Sequence, residues 1–200
     1  NVVDASNLER NLYLSTQLID MDVKGVIALN MYDELERSGA TFNYQEMGRM
    51  IGMPMMPTVG SKGKGIKELL REVIEVYEGR SETVRHIHIN YGDSLERGIQ
   101  NIAHALRKNA DIPTSISKRY LSIKLLEGDS EIERHIKEYP NGADLLKERD
   151  RNAAQISELL STDCETALTD ARYGFIQGAL RETFEQNKIK EGMLWVYLSH

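Results

Sequence analysis

Two short polar clusters hold the side chains best able to do chemistry. Asn30 and Asp33 stand three residues apart, directly after the apolar run Gly25–Leu29. Thr58, Val59, Gly60 and Lys62 follow a second apolar segment. A carboxylate such as Asp33 can accept two parallel N–H bonds, the pattern offered by guanine at N1–H and its N2 amino group. The Asn30 amide can reach the O6/N7 side of such a base and also brace the neighbouring loop. Adenine presents the opposite pattern and leaves Asp33 unpaired. Small residues at 58–60 admit a backbone N–H close to a base, and the Lys62 stem can cover its face. Taken alone, Asn-x-x-Asp also reads as a strand followed by a helix N-capped at Asp33, and for that pair by itself the capping reading is the stronger. The second cluster by itself also reads as a glycine turn into a capped helix. The span Gly60 to Gly65 is not a phosphate loop, because Ile66-Lys67 follows where Lys-Ser/Thr is required.

These clusters need strand ends to hold them. Asn1–Ala5, Gly25–Asn30 and Met55–Thr58 read as short strands. Leu8–Ile19 (with Asn7 as N-cap), Tyr44–Ile51 and Ile66–Tyr77 read as helices between and after them. Ile66, Leu69, Leu70, Val73, Ile74 and Tyr77 share one helical face and are expected in the core. Strand–helix alternation of this kind makes a parallel α/β sheet, whose ligands bind at the carboxyl ends of the strands. Beyond residue 80 the texture changes. Val84–Asn90 alternates like one strand. After it come helical patterns at Ser94–Lys108, Pro113–Glu127, Ser130–Tyr139, Gly142–Leu160 and Thr166–Phe184, an all-α bundle.

Composition narrows the function classes. The 200 residues are 40% hydrophobic and 28% charged, as in globular proteins. No apolar run approaches the ~20 residues of a membrane helix. The net charge of −6, −3 in residues 1–80 and −3 in 81–200, leaves no basic half and argues against nucleic acid. Cys164 is the one cysteine, which excludes an internal disulfide. His86 and His88, two apart, lack an evident third ligand and are read as surface or packing residues, as are His104 and His135. Met47, Met50, Met53, Met55 and Met56 are read as core filling rather than a metal relay. Glu131 and Glu133 are read as a solvated helix face.

Together the two polar clusters are more specific than either alone. The stretch NVVDASNLERNLYLSTQLIDMDVKGVIALNMYDE resembles the signature of the prokaryotic ferrous iron transport protein B family, V-V-D-A-x-N-L-E-R-N-L-Y-L-T-x-Q followed by A-L-N-M-x-D. PTVGSKGKGI resembles that family's P-T-S-A-x-K-G-x-G-I loop, and RYLSIKLLEGD and DARYGFI resemble its helical domain. The resemblance reaches to about residue 190. It implies the second half of a Ras-like G domain at 1–79, a partial parallel sheet of three strands with helices. A small all-α domain that stabilises bound GDP follows at 80–190. Residues 191–200 are a tail, with its apolar run Met193–Leu198 either the approach to a membrane or a non-native extension.

The implied activity is GTP hydrolysis coupled to Fe(II) uptake, at the cytoplasmic face of the inner membrane. The implied partners are a guanine nucleotide and the membrane channel domain of the same parent chain, with no nucleic acid. Asn30, Met31 and Asp33, with Thr58, Val59, Gly60 and Lys62, would surround the base. Val59 replaces the family's common Ser and Gly60 its common Ala. The family's phosphate loop, switch threonine and magnesium ligands all precede the strand at Asn1–Asp4. The 200 residues are therefore expected to hold the guanine end of GTP or GDP, without Mg ligands or catalytic residues, and to be inactive alone. A non-catalytic regulatory or structural module is the alternative. A chain opening mid-strand is expected to be a fragment whose first strand leaves an open edge, inviting self-association.

Overall fold

Short apolar runs become strands where both faces can be covered, and amphipathic stretches become the helices that cover them. The computed structural model describes residues 1–186. The chain divides into two compact units. One holds Asn1–Asn11, Gly25–Arg85 and 178–186; the other holds Leu12–Lys24 and His86–Gln177.

The first unit is built on a parallel sheet of β1 (Val2–Asp4), β2 (Ile27–Asn30) and β4 (Met55–Pro57), in the order β1-β2-β4. The register pairs Val3 with Leu29 and Ile27 with Met55. Ile27 and Leu29 in the central strand are fully buried, as expected of a strand covered on both faces. This is the three-stranded α/β arrangement expected, with small shifts at the strand ends. Asp4 caps a 3-10 turn (Ala5–Asn7) after β1, its carboxylate accepting from Ser6 N at 2.8 Å, and the turn leads into α1 (Leu8–Asp20). α3 (Tyr44–Ile51) and α4 (Ile66–Tyr77) run over the expected residues. Met47, Met53 and Met55 are buried, so the methionine cluster does fill the core.

Three features of this unit depart from the sequence reading. α2 (Tyr32–Arg37) and β3 (Ala40–Phe42) occupy a stretch that carried no assignment. β3 pairs antiparallel with β5 (Phe184–Gln186), where a helix was expected to run on to Phe184. The third concerns α4. Its stripe of Leu70, Val73, Ile74 and Tyr77 is exposed, with Tyr77 at 90%, and the buried contact is made by Val76 instead. The periodicity gives the helix correctly, but the described residues supply nothing to cover that face.

The second unit is helical: α5 (Asp93–Arg107), α6 (Lys118–Leu126), α7 (Ser130–Lys137), α8 (Gly142–Leu160) and most of α9 (Cys164–Thr183), joined by the end of α1. α6 starts at Lys118 rather than Pro113, because Ser117 is the residue whose hydroxyl accepts from Tyr120 N. Val84–Asn90 forms no strand. Its alternation buries Ile89 while the Ile89 carbonyl accepts from Arg119 Nη2 at 2.8 Å, so a side chain stands in for a neighbouring strand. The tail at Met193–Leu198 lies outside the described residues.

Arg172 organises this unit. It is 1% exposed. Its Nη2 donates to Asp20 Oδ2 at 3.1 Å, Nη1 to Glu127 Oε1 and Nε to the Tyr91 hydroxyl at 3.1 Å. Tyr91 in turn donates to Asp20 Oδ2 at 2.6 Å. The guanidinium also lies 5.8 Å from the Tyr13 ring centroid and 5.7 Å from that of Tyr91. Nearby, Arg119 grips Glu96 with two bonds of 2.7 Å. A buried charge is tolerated only when paired and hydrogen-bonded in this way. Arg172→Ala is therefore expected to cost about 3–5 kcal/mol, measured by urea denaturation, since it strands the Asp20 carboxylate.

A pH effect follows from Glu96. Burial raises its carboxyl pKa, but the Arg119 guanidinium and the Tyr91 N–H outweigh it and hold the group below its ordinary 4.5. A lowered carboxylate contributes stability that is present above pH 4.5 and lost as the pH falls through the folded value. Denaturation midpoints followed downward from pH 5.5 should thus decline less steeply in Glu96→Gln than in the parent chain.

Candidate functional site

The two polar clusters meet because β2 and β4 run parallel and end level. Thr58 N donates to Leu29 O at 2.8 Å, the last bond between these strands. The chain leaves β2 through Met31, whose φ of 57° turns it sharply into α2. Tyr32 N then donates to Thr58 O at 3.2 Å, tying the start of α2 to the end of β4.

The loop after β4 is held from within. Val59 N donates to Lys64 O at 3.0 Å and Lys64 N returns a bond to Val59 O at 3.3 Å. Gly60–Lys62 forms one 3-10 turn inside that closure. Gly65, at φ +78°, makes the exit into α4; a Cβ there would sit 2.1 Å from the Pro57 carbonyl oxygen. Only glycine meets both demands.

Two side-chain contacts join the loops. Asn30 Oδ1 accepts from Gly60 N at 2.9 Å. Lys62 Nζ lies 2.7 Å from Asp33 Oδ2. All seven residues singled out from the sequence thus lie at one pair of strand ends. Thr58 and Val59 are buried and act through their backbone, while Met31 is 38% exposed. Asp33 is not the N-cap of α2: that position is Met31, with no side-chain cap, and Asp33 sits in the first helical turn. The capping explanation of Asn-x-x-Asp therefore fails, and the Asp33 carboxylate is directed at the second loop.

The electrostatics follow the contacts. The Lys62 hydrogen bond, aided by Arg37, holds the Asp33 carboxyl below its ordinary value, so it is ionised and accepting at neutral pH. Arg37 Nη2 lies 3.4 Å from Asp33 Oδ2. This i, i+4 pair was readable from the sequence but was missed there. With Oδ1 of Asn30 engaged by Gly60, the donor amide of the same side chain is what remains for a ligand. A groove of about 420 Å³ opens beside Asp33, lined by Tyr32, Tyr44, Thr58, Gly65 and Glu68 among others. The site can present a carboxylate acceptor, an amide donor and an ammonium to one planar polar edge. Among the described residues no cluster of three or more His, Cys, Asp or Glu could hold a metal ion.

Comparison with known proteins gives the setting. A family model for ferrous iron transport protein B matches residues 1–73, and one for the FeoB cytosolic helical domain matches 91–185. The Fe(2+) transport protein A/Fe(2+) transporter FeoB fusion protein of Porphyromonas gingivalis is 46% identical over 189 residues, covering 94% of this chain and 22% of that one. The Fe(2+) transporter FeoB of Escherichia coli is 34% identical over 173 residues, covering 86% and 21%. The chain thus spans about a fifth of the length of these relatives. Among solved structures, a GDP-bound mutant of S. thermophilus NFeoB superposes with a TM-score of 0.79 at 30% identity, covering 92% of this chain and 67% of that one. The mGMPPNP-bound NFeoB from S. thermophilus gives 0.77 at 31%, covering 96% and 68%.

The loop geometry makes a graded test. Gly63 is also left-handed, but nothing lies within 4 Å of its would-be Cβ. Gly63→Ala should cost about 1–2 kcal/mol of backbone strain. Gly65→Ala should cost about 3 kcal/mol or more, because a backbone carbonyl must also move. Urea denaturation of the two variants checks the order.

Proposed function

The chain belongs to the ferrous iron transport protein B family, and from that membership we propose that its strand-end loops read the guanine base of GTP or GDP. One observation carries the reading. The Asn30–Gly60 hydrogen bond of 2.9 Å locks the two loops together and leaves Asp33 and Lys62 facing across them. A purine edge entering there meets Asp33 as an acceptor for N1–H and the N2 amino group. It meets the Asn30 amide as a donor toward O6 or N7.

The Lys62 ammonium need not block the base. Its contact with Asp33 is solvent-exposed, and exposed ion pairs are weak and readily exchanged. On displacement its aliphatic stem is free to lie along the ring face. Gly60 fits the same role, since a side chain there would press on Asn30 Oδ1, 3.3 Å from its Cβ. These residues fit the base end of a guanine nucleotide. No residue of this chain is assigned to the phosphates or to Mg.

The wider reading rests on the family. Residues 1–79 would be the second half of a G domain and 80–190 a helical domain that restrains nucleotide release. The longer parent would hydrolyse GTP and couple it to Fe(II) uptake, with its channel domain as partner, at the cytoplasmic face of the inner membrane. No helix among the described residues is long and apolar enough to cross a membrane.

The base assignment is tested directly. GDP, titrated into the chain and followed by amide resonances, should shift Asn30, Asp33 and Gly60, and ADP should not. In the parent protein, Asp33→Asn should lower affinity for GDP by ~10–100-fold and raise that for the xanthine nucleotide, as lost and regained hydrogen bonds to a charged group require. Equal responses to GDP and ADP, or an Asp33→Asn protein that still prefers GDP, would refute it.

A further inference from the structure

α2 carries Asp33, yet its six residues are too few to hold a helix by themselves. Met31 gives it no side-chain cap, and Leu35 alone of its residues is buried. What fixes it lies at its two ends. At the start, Tyr32 N donates to Thr58 O, and the Tyr32 ring meets the Tyr44 ring edge to face, centroids 5.9 Å apart. At the end, Ser38 and Gly39 turn the chain straight into β3. Ser38 Oγ donates to Leu35 O at 2.7 Å and Gly39 N to Glu36 O at 3.1 Å, so the turn is closed onto the helix.

β3 in turn needs a partner, because three residues do not make a strand alone. Among the described residues it joins no strand of the parallel sheet, and its ladder is with β5. The pairing continues one step beyond the strands, where Asn43 N donates to Thr183 O at 2.7 Å. Asn43 is also the N-cap of α3, its side chain accepting from Glu46 N at 3.1 Å. Tyr44, whose ring meets Tyr32, is the next residue. Two side chains hold the far segment down. Phe184 stands opposite the buried Phe42, with ring centroids 6.2 Å apart. Thr183 is buried, its hydroxyl donating to Ala179 O at 2.8 Å and lying 3.8 Å from Met47 Sδ in α3.

Both ends of α2 therefore trace to one short segment, one end through β3 and the other through Asn43 and Tyr44. We propose that Thr183 and Phe184 are positioning residues of the strand-end site: by anchoring β3 and Asn43 they hold α2 so that the Asp33 carboxylate faces Lys62. The proposal rests on the guanine reading for what the site binds, and on these contacts for how α2 is held. Neither residue is among those that would meet a base. Thr183 closes α9, so that helix and the strand-end site share an anchor.

The test uses the 200-residue chain and reads hydrogen exchange at two amides. Tyr32 N–H reports on α2, and Thr58 N–H, bonded to Leu29 O, reports on the parallel sheet. Phe184→Ala should speed exchange at Tyr32 about tenfold with Thr58 unchanged, and weaken GDP binding by about the same factor. Phe184→Leu, which keeps a large apolar side chain, should restore most of both. Thr183→Ala, a milder variant, should act in the same direction. A loss of global stability alone speeds both amides together. The proposal is overturned if Tyr32 and Thr58 accelerate equally, if neither moves, or if Tyr32 accelerates while GDP affinity holds. Selective acceleration at Tyr32 in a chain that does not prefer GDP to ADP supports the positioning role and refutes the guanine reading.

Discussion

The hydrogen bond from Thr58 N to Leu29 O sets the position of the two loops at the carboxyl end of the sheet. It is the last bond between β2 and β4, and it makes the two strands end level. From that level ending Met31 can turn, Tyr32 can reach the Thr58 carbonyl, and Gly60 can present its N–H to Asn30. Were β4 to slip by one residue, Thr58 would change faces and the loop would aim elsewhere. The buried row of Ile27, Leu29 and Met55 prevents that slip. Recognition at this site is therefore specified by the core, although the residues that would touch a ligand are at the surface.

Much of this was readable from residue types. The three parallel strands, the helices at Tyr44–Ile51 and Ile66–Tyr77, Asn30, Asp33 and the small-residue loop with Lys62 come from patterns of a few neighbouring positions, whereas Met31 entered only through the family resemblance. Strand ends are where Asn30 and Lys62 had to be, and the glycines at 60, 63 and 65 gave the loop away. The reading failed where an element depends on a distant partner. β3 and β5 have three residues each and exist because Thr41 faces Glu185, far along the chain. No local periodicity announces a strand that short. Val84–Asn90 failed in the opposite sense. Its alternation is real, but the Ile89 carbonyl is satisfied by Arg119 rather than by another strand.

The same limit explains why the buried charges went unread. Asp20, Tyr91, Glu127 and Arg172 come from four separate stretches, and nothing in any of them marks a pair. Arg172 lies in a segment whose Leu168, Ala171, Phe175, Ala179 and Leu180 predict an ordinary apolar face. Only the packed helices show that this face carries a guanidinium between two tyrosine rings. His86 and Asp22 are a smaller instance: the histidine was visible in the sequence, and the carboxylate that meets its Nδ1 at 2.5 Å was not.

Charge is thus used in two distinct ways. In the helical unit Arg172 is wrapped by acceptors and aromatic rings, and the surrounding dielectric is low. There a pair is costly to break, so it fixes which helices adjoin and does not exchange. At the strand ends the Asp33–Lys62 pair is open to water, where screening makes it weak. A weak pair keeps the carboxylate ionised and roughly in place, and under the proposed reading it is exchanged for a base edge that offers two donors in a plane. Rigidity at that site comes from backbone bonds and left-handed turns, which a ligand does not disturb. A recognition loop that must release its ligand is better built this way round, with the frame fixed by the peptide and only the last contact left to exchangeable charge.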